Sequence, residues 1–265
     1  MVCVVQKLNT ECKMTRYRIE VEYDGTNLIG WQINQQGPSV QSLLQDAIYK
    51  FCGENVTVFS AGRTDAGVHA IAMPAHFDLE KDWDSETVMR AINFYLVNQP
   101  VSVLRCEKVD DDFHARFSCR KRIYKYTVIN RSAPVVLNKN RVWWVPQKLD
   151  IDLMREQSKK LIGKHDFTSF RAAQCQAKSP IKTLDSCTIT QNGEEIIFEF
   201  IARSFLHHQV RNMVGTLIDI ASGKPYDIDE IFAKQERGAA GINAPACGLY
   251  FVKGLYATDD DSKSL

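Results

Sequence analysis

An α+β fold built from two βαββαβ halves is what this 265-residue sequence predicts. Three observations lead there. Short runs with an apolar residue at every second position read as half-buried strands, as in Tyr17, Ile19, Val21 and Tyr23. Between them lie stretches with helical apolar spacing, such as Val40, Leu43, Leu44, Ala47, Ile48 and Phe51. The order of these elements in the first part of the chain then recurs in the second.

In the first half, the strand at 17–23 ends at Asp24-Gly25. Gly37-Pro38-Ser39 opens the first helix, and Gly53 sits where its C-terminal cap belongs. A strand at 56–60 feeds a glycine-bracketed loop, and another strand follows near 75–79. Asp84 or Ser85 caps a helix carrying Val88, Ala91, Ile92 and Tyr95, and a strand at 101–109 closes the unit.

The second half opens with a strand at 122–130. A helix follows with Ile151, Met154, Leu161 and Ile162 on it and Gly163 as its stop. Strands at 184–190 and 195–202 flank Asn192-Gly193, a strong hairpin signal. A helix from about 204 to 221 shows Leu206, Val210, Met213, Leu217 and Ala221 on one face; a short helix at 227–233 and a strand at 249–256 finish the chain. Each unit reads as a ferredoxin-like, RRM-like half, with an antiparallel sheet covered by helices on one side. An open sheet face carrying aromatic and basic residues suits RNA. The repeat is one of topology, without sequence identity. The predicted organisation is a tail at 1–13, domains at 14–111 and 112–258, and an acidic tail at 259–265, with the boundary near Asp110 to Asp112.

A hydrophobic content of 45% with 25% charged residues is that of an ordinary globular protein. No apolar run reaches membrane-spanning length and no secretory leader is evident, so the cytoplasm is the expected location. The eight cysteines are scattered without a C-x-x-C pair, which argues for reduced thiols and against a zinc or disulfide framework. Net charge is only +1, but its distribution is uneven. Between Phe113 and Arg131 stand Arg116, Arg120, Lys121, Arg122, Lys125 and Arg131 without one acid. That stripe reads either as a localised polyanion site or as a solvated strand edge.

The most informative stretch is 59–70, F-S-A-G-R-T-D-A-G-V-H-A. Gly62 and Gly67 bracket Asp65, with Arg63 two residues before it, placed to hold the carboxylate ionised and aimed. The glycine spacing imitates a P-loop, but Val68-His69 stands where Lys-Ser/Thr is required. Asp65 and His69 have chelating spacing, yet no neighbouring residue completes a metal-ligand set in the sequence. Spacing alone leaves two readings: a tight turn clamped by an Arg–Asp pair, or a loop presenting a reactive carboxylate.

The stretch A-G-R-T-D-A-G-V-H-A resembles the catalytic loop of the TruA family of tRNA pseudouridine synthases. Six further stretches agree in order: E-Y-D-G-T (22–26), G-W-Q (30–32), D-D-F-H-A-R-F-S (111–118), D-F-T-S-F-R (166–171), H-H-Q-V-R-N-M-V-G (207–215) and G-L-Y-F-V (248–252). The resemblance implies a cleft between the halves that holds the loop. It implies Asp65 as the catalytic group, paired with Arg63, and Tyr124 stacked on the target base. Arg116, Arg122, Arg171, Arg203, His207 and Arg211 are then expected to contact RNA, His207 and Arg211 sharing a helical face. His208 is expected to be merely satisfied within the fold. The implied reaction turns uridine into pseudouridine at positions 38–40 of the tRNA anticodon stem-loop, by base flipping, without cofactor or metal, in a homodimer. Leu28 and Gln209 depart from the family pattern, where an aromatic and a Met are frequent. A non-catalytic RNA-binding protein, a synthase with another target site, and a metal-dependent nuclease are the competing readings.

Overall fold

The computed structural model describes residues 14–257; both predicted tails, with Cys3 and Cys12, lie outside them. Alternation along β1 (Thr15–Tyr23) buries Tyr17, Ile19 and Val21 completely. The first helix, α1 (Val40–Cys52), begins in a capping box between Ser39 and Ser42 and ends at Gly53 with φ 78°. Next come β2 (Phe59–Ser60), β3 (His69–Leu79), α2 (Ser85–Leu96), capped by the Asp84 carboxylate, and β4 (Val101–Val109). The chain continues through β5 (Lys121–Asn130), β6 (Trp143–Val145), α3 (Ile151–Lys159), β7 (Gly163–Asp166), β8 (Ile181–Asn192) and β9 (Glu195–Ala202). It finishes with α4 (Gln209–Ala221), α5 (Ile228–Lys234) and β10 (Leu249–Leu255).

The fold is mixed α+β with a mostly antiparallel sheet. Among the described residues the strands form one ten-stranded sheet, ordered β4-β1-β3-β10-β5-β9-β8-β7, with β2 beside β3 and β6 beside β5. The seam at its middle is a short parallel pairing, Tyr250 with His69 and Phe251 with Ala70. On its other side β10 pairs antiparallel with β5, Phe251 opposite Tyr124. Helix α1 packs on α2, and α3 on α4. One cluster of buried side chains runs from Tyr17 to Tyr256.

Several elements differ from expectation for identifiable reasons. Two sheets were predicted and a single continuous one forms, because β10 adds to the edge of β3. The strand expected at 56–60 shrinks to two residues. The backbone of Val58 is instead held by α1: its N–H donates to Gln45 Oε1 at 3.2 Å, and its carbonyl accepts from Gln41 Nε2 at 3.0 Å. The helix expected from 204 starts at Gln209, since His208 takes a left-handed φ of 63°. The helix expected to reach Ile162 stops at Lys159, and Gly163, φ 113°, opens the unforeseen β7.

Phe251 is fully buried at the seam. Phe251→Ala should destabilise the chain by about 3–5 kcal/mol, through lost apolar transfer and the cavity left behind. Urea unfolding of the two proteins measures it.

Candidate active site

The loop between β2 and β3 is braced from below by backbone. Trp31 N–H donates to Thr64 O at 3.1 Å, and Gly67 N–H to Leu28 O at 3.4 Å. Gly30, φ 102°, lies so close that a Cβ there would stand 2.5 Å from Thr64 O; one on Gly25 would meet Val68 O at 2.1 Å. Only glycine permits that approach. The Thr64 side chain points into the protein, 2.8 Å from the Tyr23 hydroxyl. The next residue, Asp65, is thereby turned towards the start of α4.

There its carboxylate meets three donors clustered at the N-terminus of α4, His207 and His208 just before its first residue and Arg211 within it. His207 Nε2 lies 3.1 Å from Oδ1, while His208 Nε2 at 3.2 Å and Arg211 Nη1 at 2.9 Å share Oδ2. Arg211 is itself fixed, its Nε donating to Ala244 O at 2.8 Å. Asn243 Nδ2 sits 3.2 Å from His208 Nδ1. An anion at a helix N-terminus also gains from the peptide dipoles. Burial alone would push the Asp65 pKa up. The His208 hydrogen bond and charge, the Arg211 hydrogen bond and the His207 charge outweigh it and hold the pKa down to about 2. This contribution to stability is complete above the ordinary value of 3.8 and is lost as pH falls towards about 2. The carboxylate is therefore ionised at any pH near neutrality, with 23% of its side chain still exposed to an incoming group.

The predicted site residues separate into two sets. Asp65, His207 and Arg211 converge, but His207 and Arg211 grip the carboxylate, where phosphate contacts were expected. His208, expected to be merely satisfied, is a third partner; the sequence signal for it was the adjacent His pair three and four residues before Arg211, and the helical face expected for His207 and Arg211 does not form, because His208 caps α4 with a left-handed φ. Arg63 is exposed and makes no ion pair with Asp65. A buried carboxylate gains more from enclosed donors than from a solvated neighbour, whose pairing is worth little. The expectation that nothing completes a ligand set around Asp65 is likewise corrected. The Asp65, His207 and His208 donor atoms all lie within 4.8 Å of one another. Arg211 at 2.9 Å opposes a divalent ion there by charge.

Arg122 is also reassigned. It is buried, and its guanidinium donates to Ala61 O at 2.8 and 2.9 Å, to Arg116 O at 2.7 Å and to Arg203 O. It ties the loop's entry to β5 and does not face solvent. Arg116 and Arg203 are exposed, and Arg171 is half-buried with its Nη2 on Cys175 O at 3.0 Å. Tyr124, on β5, lies beneath the loop, its hydroxyl 3.6 Å from where a Gly62 Cβ would be. Phe205 and Phe251 hold its ring edge-on at 5.0 and 5.2 Å. Burial, with the Asp65 charge adding to it against Arg122, raises its pKa, so it remains a neutral phenol. Leu28 and Gln209, the two departures from pattern, are both buried. A cavity of about 360 Å³ lined by Asp24, His69, Arg141 and Tyr250 lies at the loop's far end; Asp65 does not line it.

A half-open carboxylate kept ionised by three donors, on a rigid loop beside a buried tyrosine, makes this loop the candidate active site. A family profile described as tRNA pseudouridine synthase matches residues 19–118 and 158–257. Three relatives are each named tRNA pseudouridine synthase A. The chain is 52% identical to that of Rhodospirillum centenum over 92% of this chain and 100% of the relative. It is 51% identical to that of Paramagnetospirillum magneticum over 92% and 96%. For that of Brucella ovis the identity is 48% over 92% and 99%. The chain belongs to the tRNA pseudouridine synthase family. Its similarity to the crystal structure of a Cbf5-Nop10-Gar1 complex is slight, with a TM-score of 0.39 and 10% identity over 89% of this chain and 48% of that one.

Arg211→Ala should raise the Asp65 pKa above about 2, as a carbon-13 titration of the carboxyl resonance would read. Gly30→Ala should cost about 1 kcal/mol or more, from the positive φ and the collision with Thr64 O, measured by thermal or urea unfolding.

Proposed function

We propose that this protein isomerises uridine to pseudouridine at positions 38–40 in the anticodon stem-loop of tRNA, with Asp65 as the catalytic group. The observation that carries the assignment to Asp65 is its clasp: an accessible carboxylate, partly buried, with three donors holding its charge. The reaction breaks the C1′–N1 bond, turns the uracil and joins C1′ to C5. The C5 proton is lost and N1 gains one, so nothing is oxidised and no external energy is required. Attack on C1′, addition to C6 and removal of a ribose proton are the routes open to a carboxylate. All three begin from the ionised form. Arg211 and His207–His208 supply that form and aim it.

The target uridine leaves its stack to reach Asp65. Tyr124 packs against Gly62, and its ring and phenol are the aromatic face and donor a flipped base would meet. Arg116, Arg171 and Arg203 are the cations left for phosphates. We read residues 14–111 and 112–258 as two ferredoxin-like domains joined at the β3–β10 seam, and the working form as a homodimer in the cytoplasm. No helix among the described residues is long and apolar enough to cross a membrane.

Asp65→Asn should abolish pseudouridine formation, followed by carbodiimide labelling of tRNA, while tRNA affinity stays close to that of the unaltered protein, since phosphate contacts supply most of it. Residual turnover in that variant would remove the assignment. Turnover should also survive dialysis against EDTA; loss on chelation, restored by zinc, would move the chemistry to a metal on the Asp65–His207–His208 set.

A further inference from the structure

The turn between β4 and β5 carries a cluster of rings that the reaction does not use. His76 is buried on β3, with Phe59 stacked on it at 5.2 Å and His114 against it at 4.6 Å. Phe117 in turn lies 4.3 Å from His114, with the Arg116 guanidinium 5.7 Å from its centroid. The two outer rings are 46% (Phe59) and 74% (Phe117) exposed. A phenylalanine so exposed as Phe117 adds little to the core, yet the turn that carries it is held firmly. Ser118 N–H donates to His114 O at 2.9 Å, His114 N–H to Ser118 Oγ at 2.9 Å, and Ala115 N–H to His76 Nδ1 at 3.2 Å. One nitrogen of Arg122 joins Arg116 O to Ala61 O, so the turn is locked to the loop that carries Asp65. Phe59 is six residues before Asp65, within about 20 Å along the chain.

We infer that Phe117 and Phe59, flanked by Arg116, form a stacking platform for an unpaired base of the bound RNA that neighbours the target nucleotide. The inference rests on the reading of the protein as one that binds tRNA. Charge complementarity selects the occupant. The run from Phe113 to Arg131 holds six basic residues and no acid, and Arg116, Arg120 and Lys121 in it are exposed. Exposed rings beside guanidinium groups suit a π-face on a polyanion, because every base offers a face while the cations take the phosphates. Prefixing the rings through His76 and His114 removes ordering cost at the moment of binding. The target base itself belongs elsewhere, between Asp65 and Tyr124.

The test titrates an unmodified tRNA transcript against the full chain and its Phe117→Ala and Phe117→Trp variants at several salt concentrations, with melting temperatures and solution mass recorded. Phe117→Ala should weaken binding about tenfold to a hundredfold. The slope of log K against log salt should not change, because no phosphate contact is lost, and Phe117→Trp should restore affinity. Unchanged affinity in Phe117→Ala overturns the platform, as does a loss accompanied by a shallower salt slope. A change in oligomeric mass without a change in affinity assigns the rings to a second copy of the chain and overturns it equally. Unaltered protein that binds the transcript but never isomerises it would defeat the reading of the reaction, and the same titration would still decide the stacking.

Discussion

The carboxylate of Asp65 and the first turn of α4 depend on each other. Residues 142 to 146 apart in sequence meet there, so the charged site exists only once the chain has folded. Removing an ion from water costs several kcal/mol, and a partly enclosed carboxylate with one free oxygen would relieve that cost by protonating. Three donors on two oxygens reverse the balance and leave the group ionised. The same donors fix its orientation, which a solvated partner such as Arg63 could not do.

Part of what aims this carboxylate passes through the middle of the sheet. His69 and Ala70, the first residues after the loop, pair with Tyr250 and Phe251 of β10. Phe251 pairs on its other side with Tyr124. The end of the loop and the tyrosine beneath it are thus registered against one seam. Arg122 adds a second tie by holding the carbonyls of Ala61, Arg116 and Arg203 together. A buried guanidinium with its donors on backbone oxygens is a rigid bolt, and substituting lysine would leave several carbonyls without their donors.

Local chemistry was legible in the sequence and tertiary partnership was not. The Ser39 and Asp84 caps, the Gly53 stop and the Asn192-Gly193 hairpin depend on neighbours within a few residues, and they stand where the sequence puts them. Strand β2 fell short because Gln41 and Gln45 satisfy the backbone of Val58 from a helix, which no strand pattern records. The site shows the same division. Gly62, Asp65 and Gly67 announce a rigid loop with one carboxylate, but the donors it meets come from far along the chain. An arginine reads identically whether it is to bind a phosphate, a carboxylate or a row of carbonyls. Arg122 and Arg211 are the latter two kinds, and only their burial and partners reveal it.

That redistribution of cations also sets the local field around the Asp65 carboxylate. A phosphate chain is repelled by a bare carboxylate, and a net protein charge of +1 offers little general attraction. The field near Asp65 is set locally. Arg211 opposes its charge at 2.9 Å, and His207 and His208 stand against its oxygens at 3.1 and 3.2 Å. Around it Arg63, Arg116, Arg120 and Arg203 are exposed. Arg63 stays in solvent, outside the pair with Asp65 that its spacing suggested, and its charge is left on the loop's exposed surface.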